Sequence, residues 1–198
     1  MQIKRLVCGI LEANGYIIYT KDSPEAFIID PGYSQKKYID FIKEKGLKVK
    51  GILLTHHHHD HSTKADILSN TFDCPVYMHR NEIPYYKWKV TDELDGGEIL
   101  SFGDDSLLVI HTPGHTAGGI CFFSEKSKLC FTGDTIFNVD IGRCDLLSGS
   151  LDEMADTINN VIDKWGNDIT IYPGHGDSCN MKFVRKNNSE FLELLVSE

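Results

Sequence analysis

The chain is a series of short apolar runs separated by polar, glycine-containing or proline-containing breaks. "IKRLVCGIL" and "GYIIYT" are rich in strand-forming side chains, and Asn14-Gly15 between them predicts a hairpin turn. "AFIID" predicts a third strand, stopped by Pro31-Gly32. Over residues 35–46, Tyr38, Ile39, Phe41 and Ile42 share one helical face and Gly46 ends the pattern. "KGILLT" reads as a strand, and "DHSTKADILSN" after it as a helix. "PVYMH", "LLVIHT", "GICFF" and "KLCFTG" predict four more strands. Residues 151–165 predict a helix with Leu151, Met154, Ile158, Val161, Ile162 and Trp165 on its apolar face. "DITIYPG" predicts the last strand, with helical sequence after it. Strands and helices interleave without a repeat or linker, so the expectation is an α/β fold in one domain, 1–198.

Composition narrows the function classes. With 41% apolar and 25% charged residues, the chain reads as a globular protein able to bury a core without disulfides. Its net charge of −9, with no basic stripe, opposes nucleic-acid binding. No apolar run approaches the ~20 residues of a membrane span. The N-terminus lacks a signal-peptide pattern, since Glu12 and Asn14 stand where a small-residue cleavage site would lie. Six cysteines without a C-x-x-C pair read as free thiols in a reducing compartment, and the expected location is the cytoplasm. Oligomeric state is left open.

The chemistry lies in the residues just past the strand ends. "THHHHDH", residues 55–61, is internal, so it is no terminal tag. His56 follows "GILLT", His115 follows "LLVIHTPG", Asp134 follows "KLCFTG" and His175 follows "DITIYPG". Metal-competent side chains at several strand ends can converge on one edge of a scaffold. His56 and His58, two apart in an extended segment, point the same way. One ion can take His56, His58 and His115. A second can take Asp60, His61 and His175, with the Asp134 carboxylate bridging the two. Three protein ligands and a shared carboxylate suit an open, catalytic site. His57 and His59 alternate away from the ions and are expected outside them or in support. His79 and His111 read as structural histidines.

"THHHHDH", "PGHTAGG", "TGDTIF" and "YPGHG", in this order, resemble the ligand motifs of the metallo-β-lactamase fold superfamily. "FIIDPG" and "EANGYII" resemble its early strand motifs, so the resemblance runs from about residue 12 to 176. "GDTIFNVDIGRCDLLSG" is more similar to the short glyoxalase II-like hydrolases than to the antibiotic-degrading branch, which commonly has cysteine where Asp134 stands. The resemblance implies a four-layer αβ/βα sandwich of two mixed sheets flanked by helices, with the metals at one edge. It also implies supporting roles for Asp30 and Thr55.

In activity, the resemblance implies hydrolysis of a small-molecule hydroxyacyl thioester at two divalent metal ions, zinc first, with iron or manganese as alternatives. Asp60 is expected to orient the nucleophile as well as to bind metal. A thiolate leaves without protonation, since thiol pKa values lie near ~8.5. Arg143 is the candidate for holding a substrate carboxylate, or else it pins its own loop to Asp140 or Asp145. Only residues 176–198 come after the last ligand, so no C-terminal glutathione-binding domain is expected. The alternatives are a mononuclear iron persulfide dioxygenase and, after it, a phosphodiesterase or nuclease. Fold alone does not choose among these chemistries.

Overall fold

A computed structural model describes residues 1–195. Two six-stranded mixed sheets pack face to face. The first contains β1 (Gln2–Cys8), β2 (Ala13–Tyr19), β3 (Glu25–Ile29), β4 (Lys48–Leu53), β5 (Val76–His79) and β6 (Asp92–Leu94), in that spatial order. The second contains β7 (Ile99–Phe102), β8 (Asp105–His111), β9 (Ile120–Ser124), β10 (Leu129–Gly133), β11 (Thr170–Pro173) and β12 (Cys179–Asn180), again in sequence order. The helices are α1 (Gln35–Lys45), α2 (His59–Ser62), α3 (Ala65–Phe72), α4 (Leu151–Asn160), α5 (Met181–Asn187) and α6 (Ser189–Leu194).

The period-2 geometry of strands explains the four layers. In β2, Tyr16 and Ile18 point between the sheets while Ile17 points to the helices. In β3, Phe27 and Ile29 point inward while Ala26 and Ile28 face α1 and α3. In β10, Leu129 and Phe131 point inward while Cys130 packs with Met154, Ile158 and Val184 of the outer helices. Strands buried on both faces read as continuous apolar runs, which is why "AFII" and "KLCF" show no alternation. Phe131 is fully buried and its ring centroid lies 5.1 Å from that of Tyr16. Truncating such a side chain to alanine costs about 3–5 kcal/mol.

Four sequence expectations change. The β1–β2 turn is Gly9–Glu12, not Asn14-Gly15, which lie within β2 opposite Val7 and Leu6. Gly15 is a glycine because a Cβ there would sit 1.8 Å from the Tyr38 hydroxyl. The Asn14 amide instead reaches the carbonyls of Pro173 and Gly176, both at 2.9 Å. The helix expected from the end of the histidine cluster is broken into α2 and α3, where Ser62 Oγ bonds back to the carbonyls of His57 and His58 and Lys64 N–H turns to the Pro31 carbonyl. The helix expected over 151–165 ends at Asn160 and a 3₁₀ turn follows over Ile162–Lys164, with Leu151 exposed at its start. "DITIYPG" is not the last strand, because the two-residue β12 adds an edge after it, too short to show a pattern. The three-residue, polar β6 and the edge strand β7, with Ile99 exposed, also escaped the sequence reading. Among the described residues no helix is long and apolar enough to cross a membrane.

Candidate metal centre

Five strands of the two sheets end at one edge, and each is followed by a functional side chain. Asp30 follows β3, Thr55 and His56 follow β4, His115 follows β8, Asp134 follows β10 and His175 follows β11. The turns that deliver them need unusual backbone. Asp30 itself has φ 47°, and Gly133, just before Asp134, has φ 49°.

The donor atoms form two groups without a common member, and a third set, Asp30, His56 and His61, takes one imidazole from each. His56, His58 and His115 make one; Asp60, His61 and His175 make the other, each with ligand atoms within 4.8 Å of one another. Asp134 lies between the groups. Its Oδ1 is 3.4 Å from His61 Nε2, and its Oδ2 is 3.6 Å from both His115 Nε2 and His175 Nε2. His115 Nε2 and His58 Nδ1 converge to 2.9 Å, as do His61 Nε2 and His175 Nε2 to 3.2 Å.

The far nitrogens fix which atoms face the centre. Thr55 Oγ1 gives its proton to Asp30 Oδ2 at 2.6 Å, so at 3.0 Å it accepts from His56 Nδ1, leaving the Nε2 lone pair free. His115 Nδ1 donates to the Arg143 carbonyl at 2.7 Å, and His175 Nδ1 donates to the Leu11 carbonyl at 3.0 Å. His61 Nδ1 lies 3.4 Å from Asp30 Oδ2. Such partners orient metal-binding imidazoles and raise their basicity.

Three observations fit a cation. His56 Nε2 and Asp134 Oδ1 are buried and make no hydrogen bond, a costly state that a bound metal would relieve. Burial and the neighbouring histidines hold His56 well below the ordinary imidazole range, and burial and His115 lower His58 to about 4, so both are neutral and ready to ligate. Burial also opposes charge on His61, yet Asp134 and Asp30 outweigh it and raise His61 to about 9. Buried carboxylates that impose a positive charge on an enclosed imidazole create a place for a cation. Burial pushes Asp60 upward, but the His175 hydrogen bond and the charge on His61 hold its carboxyl well below the usual range. Asp60 is therefore an acceptor there, not an acid.

A cavity of roughly 450 Å³ opens over the centre and is walled by Leu11, Tyr33, His59, Arg143 and Leu146 beside the ligands. The chain from Arg143 to Asp145 closes on itself, with the Arg143 guanidinium bonding both Asp145 oxygens at 2.7 and 2.8 Å. His59 is exposed, whereas His57 lies outside the donor groups and bonds Glu82 Oε2 at 2.5 Å. His79 and His111 stack on each other at 4.1 Å, outside both donor groups. The six cysteines are unpaired, and burial pushes Cys144 and Cys179, the two nearest the site in sequence, up to about 11.

Sequence reasoning missed Glu82, which is fully buried and carries no motif. It also missed the carbonyls of Leu11 and Arg143, since backbone acceptors leave no trace in residue type.

A family model described as the metallo-beta-lactamase superfamily matches residues 9–175. The chain belongs to that superfamily. The probable polyketide biosynthesis zinc-dependent hydrolase PksB of Bacillus subtilis (strain 168) is 35% identical over 162 residues, covering 81% of this chain and 71% of PksB. The BLEG-1 B3 metallo-beta-lactamase structure superposes with a TM-score of 0.88 at 29% identity, covering 94% of this chain and 98% of BLEG-1. The structure of TTHA1623 in a di-iron-bound form gives a TM-score of 0.83 at 26% identity, covering 93% and 98%. This superfamily chain has the two mixed sheets and flanking helices of those neighbours.

Proposed function

We propose that this chain is a metal-dependent hydrolase that cleaves small hydroxyacyl thioesters with two divalent cations. The observation that carries the reading is the pair of three-residue donor groups joined by Asp134, whose Oδ1 is buried and unbonded. The names of PksB, a zinc-dependent hydrolase, and of TTHA1623, seen with two irons, support metal-dependent hydrolysis at a paired site. Zinc is the first choice of metal.

His56, His58 and His115 would hold one ion, and Asp60, His61 and His175 the other. When bound, such a pair supplies a nucleophile at neutral pH and polarises the substrate carbonyl. The protein's own residues do the rest. Asp60 accepts a hydrogen bond from the attacking water and orients it. Asp30, Thr55 and the Leu11 and Arg143 carbonyls keep the imidazoles aimed. Leu11, Tyr33 and Leu146 give the cavity an apolar wall against which an acyl group can pack. Asp60 is held ionised and Arg143 does not release its proton, so neither protonates a poor leaving group. A thiolate needs no such help, which supports thioesters over amides.

The test is metal analysis of protein prepared without added metal, combined with kinetics on lactoyl-glutathione, a simpler lactoyl thioester, the matching oxygen ester, a phosphodiester and a β-lactam. The expected result is about two ions per chain and fastest cleavage of the thioesters. A clear preference for the phosphodiester or the β-lactam with the metals loaded would sink this reading. One iron per chain with oxygen uptake on a persulfide would replace it with the dioxygenase.

A further inference from the structure

Outside the ligands, one buried acid touches both loops that carry the three-histidine group. Glu82 lies in a 3₁₀ turn, Arg80–Tyr85, that follows β5 directly. Its side chain is fully buried. Oε2 accepts the His57 backbone N–H at 2.7 Å and His57 Nδ1 at 2.5 Å. Oε1 accepts the Gly118 N–H at 2.7 Å. His57 sits between His56 and His58, and Gly118 lies three residues after His115. Thus one carboxylate joins the loop holding His56 and His58 to the loop holding His115.

The surroundings are shaped to this contact. A Cβ on Gly118 would meet Glu82 Cγ at 2.8 Å and Glu82 Oε1 at 2.9 Å, so the glycine permits the approach. The His57 ring, fixed on one side by Glu82, stacks on Tyr85 at 5.1 Å and 28°. The other donor group has no contact with Glu82: His175 hangs from the Leu11 carbonyl and His61 faces Asp30.

We propose that Glu82 is a positioning residue that sets the spacing of the three-histidine half of the centre by clamping its two loops together, while leaving the Asp60–His61–His175 half alone. Three N–H groups converge on the carboxylate, so no neutral side chain of similar size replaces it. A glutamine would turn an NH₂ toward an N–H and release one of the two loops. A buried charged acceptor that loses its partners is costly, so the clamp is also rigid. The proposal rests on the two-ion reading of the centre.

Cobalt titration with a competing chelator tests it on the full chain. His175→Ala weakens the second half and isolates the three-histidine ion, whereas His115→Ala isolates the other. Glu82→Gln is expected to weaken cobalt binding about 10–100-fold in the His175→Ala protein, the usual effect of losing a supporting contact. In the His115→Ala protein it is expected to change binding less than about 2-fold. His57→Ala should give part of the loss, and His57→Asn, whose amide can stand in for Nδ1, should restore it. An equal loss in both backgrounds overturns the proposal, since it would mean general loosening of the fold. No loss in the His175→Ala background overturns it as well. Wild-type stoichiometry is read separately: a value of one sinks the two-ion reading and leaves the Glu82 result to be judged on the ion that remains.

Discussion

Asp30 accepts both hydrogen bonds that Thr55 can offer, from the backbone N–H at 2.8 Å and from Oγ1 at 2.6 Å. That commits the hydroxyl proton and turns Thr55 Oγ1 into an acceptor for His56 Nδ1. The same carboxylate lies 3.4 Å from His61 Nδ1. One acid, itself away from the cavity, therefore aims an imidazole in each donor group. On the two-ion reading, Thr55→Val should weaken binding of an ion at His56 about 10-fold and spare the second, whereas Asp30→Asn should weaken both by about 10–100-fold. Chelator competition measures the two. Equal losses of both ions in Thr55→Val would contradict this division of labour.

In the proposed two-ion centre Asp134 would be the shared ligand, so its removal should differ in kind from that of its neighbours. Asp134→Ala is expected to lose both ions and to lower hydrolysis at least ~100-fold. His59→Ala, with its exposed ring outside both donor groups, should keep its metal content. Elemental analysis of the two proteins decides. Retention of either ion at full occupancy in Asp134→Ala would show that the carboxylate does not bridge.

Gly174 tests how tightly the centre is built. A Cβ there would lie 2.1 Å from Asp134 Oδ1 and 2.7 Å from His61 Cε1. Neither neighbour has room to retreat, since His61 is fully buried and the Asp134 carboxylate is set between His61, His115 and His175. Gly174→Ala should thus displace ligands and lower metal affinity by about 10-fold or more, as losing a supporting contact does, while far-UV circular dichroism stays native. Its backbone is unstrained, so a methyl group is the whole perturbation. Normal metal content in this variant would mean that the two ligand loops spread more easily than their packing suggests.

The sequence carried the site better than the turns. The convergence of the donor side chains was readable because they are rare residue types placed in the loops just past apolar strands, and the structure brings them together. The four layers came from the family resemblance; the apolar pattern alone gave an α/β fold, because strands such as β3 and β10, apolar on both faces, do not say which face meets the other sheet. Asn14-Gly15 misled because the pair is strong turn chemistry used for another purpose: the amide ties β2 to the His175 loop, and the missing Cβ makes room for Tyr38. The break between α2 and α3 was hidden because it is made by contacts to backbone carbonyls, Ser62 Oγ to His57 and His58 and the Lys64 N–H to Pro31, which residue type alone does not announce. Glu82 was invisible for the opposite reason. An acid in a polar stretch reads as solvated surface until a structure buries it between two loops.

Among the described residues the Arg143 guanidinium has one partner, Asp145, and a substrate carboxylate would compete with it. Arg143 lines the cavity, and its guanidinium is held by Asp145 through Nε and Nη2. Both side chains are well exposed, at 62% and 68%. Exposed ion pairs are screened by water and bind weakly, so a substrate carboxylate can displace Asp145 without large cost. A bidentate guanidinium–carboxylate contact is also the geometry this side chain favours. Arg143→Ala is therefore expected to raise KM several-fold for a thioester whose thiol carrier bears a carboxylate, and to leave a neutral carrier nearly unchanged. Turnover should hold in both cases, because the lost contact is made equally in the ground and transition states. Asp145→Asn should do the reverse, freeing the guanidinium and lowering KM for the carboxylated carrier. Steady-state kinetics on a matched pair of carriers separates the roles. If Arg143→Ala raises KM for both carriers alike, or lowers turnover, the residue serves its own loop, and the His115 ring that hangs from its carbonyl is what has moved.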